Sequence, residues 1–196
     1  MVTSTAKSEG KTFISANLAA SFVLAGKKTL LIGGDIRNPR LYKFFDFQKT
    51  AGLTDCMVKE DSWKNYIIKQ NKNGSKLNID IINAGTVPPN PNELLMSPML
   101  KKIIEEAKQE YDYVIIDSAP VGLVSDSYFI NEFVDLTLYV VREEVTPKDA
   151  VNFINAQKDE GKLNNMYIVL NGSKSTSNYK YGYGKSYGYH SIKNEK

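Results

Sequence analysis

Thr5-Ala6-Lys7-Ser8-Glu9-Gly10-Lys11-Thr12, with Phe13 after it, has the residue types and spacing to hold a triphosphate. Backbone N–H groups in a loop that feeds a helix N-terminus form a concave anion site, and the helix dipole reinforces it. Gly10 lets the chain approach the phosphates, Lys11 reaches the β/γ oxygens, and the Thr12 hydroxyl can ligate Mg²⁺. The first position of the usual glycine-rich loop pattern is here Thr5. At the other end of the chain, Tyr179, Tyr181, Tyr183, Tyr187 and Tyr189 fall within eleven residues. A grip for ATP and a strip of phenols on one polypeptide imply transfer of a phosphoryl group onto tyrosine.

Two carboxylates complete the chemistry. Leu30-Leu31-Ile32-Gly33-Gly34-Asp35 and Val114-Ile115-Ile116-Asp117 are apolar strand patterns that end in an aspartate. In open α/β sheets, ligands lie outside the carboxyl ends of strands, so Asp35 and Asp117 are expected to face the loop. Mg²⁺ takes hard oxygen ligands and keeps several waters, so Thr12 with Asp35 and Asp117 suffices to hold it. Lys11, Asp35 and Asp117 are therefore the catalytic candidates, with ATP and Mg²⁺ as cofactors.

The elements that must position these groups alternate between strand and helix. Short apolar runs at Lys28 to Ile32, Leu77 to Ile82, Tyr113 to Ile116, Leu136 to Val141 and Met166 to Leu170 suit strands buried on both faces. Between them, Ile14, Leu18, Phe22 and Ala25 form one helical stripe, as do Leu95, Met99, Ile103 and Ala107 of a helix beginning near Pro91. Thr146-Pro147 reads as an N-cap and first helical turn leading into Val151 and Ile154. The expected fold is α/β: a P-loop NTPase with a mostly parallel central sheet and helices on both faces. Only Met1, Val2 and Thr3 precede the loop, so the first strand reads as a truncated stub of a longer protein.

Composition sets bounds. With 196 residues, 42% hydrophobic and 24% charged, the chain is long enough for one core. It reads as a nucleotide-binding domain over residues 1–172 and a flexible tail over 173–196. That tail has five lysines against Glu195, hence +4, while the whole chain is +3, so the body is near −1. Nucleic acid is not an expected partner, because a basic face should lie on a folded surface. The lone Cys56 fits a reducing cytoplasm and a packed side chain, Trp63 an anchor for a connecting helix, and His190 a solvated tail residue. Arg37 and Arg40 are read as contacts for a partner or for local carboxylates, and Arg142 ends a strand on the nucleotide edge.

In this order the segments resemble the cytoplasmic domain of bacterial tyrosine kinases that control capsule and exopolysaccharide export. Ser4 to Thr12 resembles the family's Walker A motif, Asp35 with Arg37 and Pro39 its Walker A′, and Val114 to Pro120 its Walker B. Gly85-Thr86-Val87-Pro88-Pro89-Asn90-Pro91-Asn92-Glu93-Leu94-Leu95 resembles a segment specific to the family, and Val169-Leu170-Asn171-Gly172 precedes the tyrosines. Gly33 stands where the family usually has its first Walker A′ aspartate, and Lys7-Ser8 where it usually has Pro-Gly. The resemblance implies tyrosine autophosphorylation of the tail between subunits of a ring. It also implies a transmembrane activator, fused upstream or separate, a protein tyrosine phosphatase, and a cytoplasmic position at the inner membrane face. A partition-type switching ATPase and a nucleotide-gated binding module with impaired catalysis are the alternatives.

Overall fold

The computed structural model describes residues 1–45, 47–48, 50–70 and 78–174. The tyrosine cluster at 179–189 lies outside them. Strand β1 (Val2–Ser4) leads into α1 (Lys11–Leu24) and β2 (Thr29–Gly33), followed by α2 (Leu41–Phe44) and α3 (Leu53–Lys59). A 3-10 turn (Trp63–Tyr66) precedes β3 (Ile67–Gln70) and β4 (Ile79–Ile82). Then come α4 (Pro91–Leu95), α5 (Pro98–Glu110), β5 (Tyr113–Asp117), α6 (Asp126–Asn131), β6 (Thr137–Arg142), α7 (Ala150–Asp159) and β7 (Met166–Asn171).

The strands form one sheet in the order β3-β4-β2-β5-β1-β6-β7. All neighbours run parallel except β3, which is antiparallel to β4. The expected mostly parallel sheet is therefore present. Its antiparallel edge was not read from the sequence, because Ile67–Gln70 is short and follows a turn rather than an apolar run.

Alternation across the pleat divides the core in two. Leu31, Ile81, Ile115 and Val140 face α1, while Leu30, Ile32, Ile82 and Ile116 face the side of α5 and α6. β1 is short, yet it is fully buried and pairs with both β5 and β6. Its end, with those of β2 and β5, therefore opens onto the centre of one sheet edge.

Three expected helices differ in detail. The residues of α1 buried against the sheet are Lys11, Ser15, Ala16 and Ala19. Ile14, Leu18 and Phe22 flank this row and are partly buried, while Ala25 is exposed beyond the helix end. Small residues let the helix backbone approach the sheet, so the larger side chains wedge in from the sides. The helix expected from Pro91 is two helices, α4 and α5, broken at Met96-Ser97, with Pro98 starting the second. Thr146 is not an N-cap: α7 starts at Ala150, and the Thr146 hydroxyl is engaged elsewhere. Trp63 is buried as expected and donates from Nε1 to Glu106 at 2.8 Å. Cys56 is buried too, and burial pushes its thiol up to about 11, which suits an inert packed side chain.

Gly33 ends β2 opposite Asp117 of β5. A Cβ there would lie 2.8 Å from the backbone nitrogen of Ala84. Gly33→Ala should therefore lower stability by about 1–3 kcal/mol through overpacking. Urea unfolding would show this as a lower midpoint at unchanged slope.

Candidate nucleotide site

The loop after β1 turns into α1 through two residues with left-handed backbone, Ser8 (φ 67) and Gly10 (φ 102). At Gly10 a side chain is excluded twice over, since its Cβ would fall 2.0 Å from Asn171 Nδ2. The first helical bond of α1 runs from Ile14 N to Gly10 O. The N–H groups of Lys11, Thr12 and Phe13 thus have no intrahelical acceptor and remain available to an anion.

Lys11, Thr12, Asp35 and Asp117 meet at one cavity of about 260 Å³, also lined by Lys7, Ser8, Gly10, Phe13, Arg40 and Arg142. Lys11 Nζ lies inside the loop, 3.1 Å from Ser4 Oγ and 3.4 Å from Ala6 O. Burial lowers its pKa, opposed first by Asp117 and then by Asp35 and Glu9. Thr5 caps the loop's start, its hydroxyl 2.9 Å from the Tyr139 hydroxyl, and the Ala6 N–H donates to Glu9 Oε2 at 2.6 Å. Lys7 is exposed, and so is Phe13, whose ring meets Phe44 edge-on.

Asp117 is buried at the end of β5. Thr12 Oγ1 donates to its Oδ2 at 2.7 Å and Ser15 Oγ approaches its Oδ1 at 3.3 Å. Burial pushes its pKa up to about 6, with the Thr12 hydrogen bond and Lys11 opposing. Its backbone carbonyl takes the N–H groups of Gly34 (2.8 Å) and Asp35 (3.0 Å), which fastens the turn after β2 beside the end of β5. Asp35 in turn accepts the Asn38 N–H at 2.9 Å, and burial raises its pKa despite that bond.

These donors fit a hydrated Mg²⁺. Because Thr12 gives its proton to Asp117, its oxygen lone pairs are free for a cation. Both Asp117 oxygens face hydroxyls, so Asp117 suits a place behind Thr12, where it would hold a metal-bound water. Asp35 has one carboxylate oxygen beyond the Asn38 bond.

Several participants were not legible beforehand. Ser15 shares Asp117 with Thr12. Arg142 ends β6 on the nucleotide edge as expected, and its partner there is new: it donates from Nη1 to Ser8 O at 2.9 Å. Asn171 Nδ2 donates to Glu9 O at 2.9 Å, so the root of the tail touches the loop. Arg37 resolves toward a local carboxylate: its Nε lies 2.9 Å from buried Asp126, and Nη2 donates to Asn92 at 2.6 Å. The ion pair ties the turn after β2 to α6, and the Asn92 bond ties it to the segment beginning at Gly85.

A phosphate loop at the centre of a parallel sheet, with two acidic strand ends beside it, defines a P-loop NTPase. The AAA_31 family model, described as an AAA domain, matches residues 7–132. Tyrosine-protein kinase YwqD of Bacillus subtilis (strain 168) is 33% identical over 183 residues, covering 93% of this chain and 76% of the relative. A putative tyrosine-protein kinase in the cps region of Klebsiella pneumoniae is 36% identical over 183 residues, 93% of this chain but 25% of its own length. The kinase domain of Escherichia coli tyrosine kinase ETK superposes with a TM-score of 0.81 at 32% identity, over 96% of this chain and 71% of that one. The chain belongs to the bacterial tyrosine-protein kinase family.

The raised pKa of Asp117 gives a test. A carboxyl whose folded pKa lies above its unfolded value favours the folded state fully only below about pH 4, and that contribution is lost as pH rises through about 6. Asp117→Asn, which keeps both hydroxyl partners, should therefore make the nucleotide-free protein more stable at pH 7 by about 1–3 kcal/mol. The gain should vanish below pH 4. Paired thermal melts of the two proteins from pH 4 to 8 measure it.

Proposed function

We propose that this chain is an ATP- and Mg²⁺-dependent protein-tyrosine kinase that phosphorylates its own C-terminal cluster, Tyr179, Tyr181, Tyr183, Tyr187 and Tyr189. Family membership supports the reaction class. The observation that carries the reading is the meeting of Lys11, Thr12, Asp35 and Asp117 at one cavity, with Asn171 bonded to the same loop.

The chain's residues divide the work of phosphoryl transfer, which asks mainly for positioning and charge neutralisation. The loop N–H groups and Lys11 hold the β/γ oxygens. Bound Mg²⁺ would supply further charge neutralisation between the phosphates. The phenol oxygen bonds to the γ-phosphorus while the bond from that phosphorus to the β–γ bridging oxygen breaks, releasing ADP. Asp35 accepts the phenol proton, a role suited to a carboxylate whose pKa is raised by burial.

The domain reading follows: residues 1–172 bind nucleotide and 173–196 carry the acceptors. Five phosphotyrosines would each add about −1.5 to −2 charges and reverse the tail's +4. The proposed role is regulation of capsule or exopolysaccharide polymerisation and export, supported by the cps-region relative. It includes a transmembrane activator domain, ring-shaped self-association, reversal by a protein tyrosine phosphatase, and a cytoplasmic position at the membrane's inner face. Among the described residues no helix is long and apolar enough to cross a membrane, so anchoring falls to a partner or another segment. Gly33, which removes one carboxylate from the site, favours the second reading, a nucleotide-gated binding module.

Incubation with γ-labelled ATP and Mg²⁺ separates the readings. Label on tail tyrosines is the expected result, free phosphate would indicate an ATPase, and intact bound ATP a binding module. Asp35→Asn should slow transfer by about 10²–10⁴-fold while ATP still binds. Full transfer in that variant would refute the assigned proton acceptor.

A further inference from the structure

Glu9 presents a paradox. It is a carboxylate within a loop built to bind anions, and it is fully buried. Yet it does not line the phosphate cavity. Its side chain turns behind the loop, where Oε2 accepts the Ala6 N–H and Oε1 accepts the Thr146 hydroxyl proton. The same Thr146 oxygen accepts the Arg142 N–H at 2.8 Å. Arg142 reaches back to Ser8 O, and Asn171 to Glu9 O.

Residues from the ends of β6 and β7 and the turn after β6 therefore fasten two consecutive loop residues from behind. The need for this follows from the loop's own geometry. N–H groups that converge on an anion turn their carbonyls outward, and no helix or strand ladder holds those peptides. Here Arg142 and Asn171 take the carbonyls of Ser8 and Glu9, while the Glu9 side chain bridges the loop's first half to Thr146. A buried charge beside a triphosphate is costly unless it is fully hydrogen-bonded and turned away. Glu9 meets both conditions.

We infer that Glu9 is a positioning residue for triphosphate binding, which acts through the Ala6 N–H and Thr146 and never touches the nucleotide. The inference rests on the loop being a nucleotide site and is independent of what the phosphate is transferred to. Glutamine separates shape from charge: its oxygen can accept the Ala6 N–H and its amide can pair with the Thr146 hydroxyl, but it lacks the negative charge. Alanine offers neither bond.

Titration calorimetry of the full chain with Mg-ADP, well below each protein's melting temperature, tests this. Glu9→Ala should weaken binding roughly 10- to 100-fold and Thr146→Val roughly 3- to 10-fold, on the scale of lost buried hydrogen bonds. Glu9→Gln should bind within about 3-fold of the parent or tighter, since only charge is removed. The double variant Glu9→Ala with Thr146→Val should be no weaker than Glu9→Ala alone, because both cut one connection. A merely structural role would lower melting temperatures without this order in affinity. Should Glu9→Ala fail to fold, Thr146→Val decides, and parental affinity in that variant overturns the inference. A parent protein that binds no nucleotide overturns the proposed function as well, whereas parental binding with unaffected variants overturns this inference alone.

Discussion

The site depends on Asp117 being buried with every one of its acceptors in use. Its carboxylate takes the hydroxyls of Thr12 and Ser15 from α1, and its carbonyl takes the N–H groups of Gly34 and Asp35 from the turn after β2. One residue at a strand end thus joins the helix that starts at the phosphate loop to the second acidic turn. Desolvation makes the ionised form unfavourable, as the upward displacement of its pKa records. A cation beside Thr12 would offset that cost, as Lys11 already does in part. Ligand binding to the folded state alone then stabilises the fold by mass action.

Topology supplies the rest of the constraint. β1 lies between β5 and β6 at the sheet centre, so the loop emerges where strand ends converge from both sides. On one flank β5 and β2 bring Asp117 and Asp35. On the other, β6 and β7 bring Arg142 and Asn171 to the outward carbonyls of the same loop. Beyond the bonds that Glu9 and Lys11 make within it, the loop takes its shape from both flanks. β7 ends on the second flank, which places Asn171 against the nucleotide loop.

The parts legible in the sequence were those written in local patterns. Five parallel strands are legible as apolar runs, as a covered parallel sheet needs, but the expected burial on both faces fails at β7, an edge strand whose Tyr167, Ile168 and Leu170 are exposed. Lys11, Thr12 and Asp117 showed because loop and strand-end chemistry is encoded in neighbouring residues. The Ser97-Pro98 break was hidden by a continuous stripe, since Leu95 and Ile103 are buried on either side of it. Thr146 looked like a helix cap because a Thr-Pro pair usually is one, but a carboxylate 137 residues away claimed its hydroxyl. Side-chain partners of that kind leave no trace in spacing. Arg142 to Ser8 and Asn171 to Glu9 are likewise separated by 134 and 162 residues.

Gly33 shows why a motif departure must be read in three dimensions. As a lost carboxylate it reduces the charge available to a metal. Its place is also occupied in a physical sense, because the backbone nitrogen of Ala84 lies 2.8 Å from where a Cβ would be. That nitrogen is held by the side chain of buried Asn83, which also reaches Thr50 O. Restoring an aspartate would therefore move the end of β4 together with the loop it holds. The acidic chemistry that remains is concentrated on Asp35, whose neighbour Arg37 is committed to Asp126 and Asn92. Arg37 fixes the turn, and Asp35 keeps one carboxylate oxygen free to face the cavity.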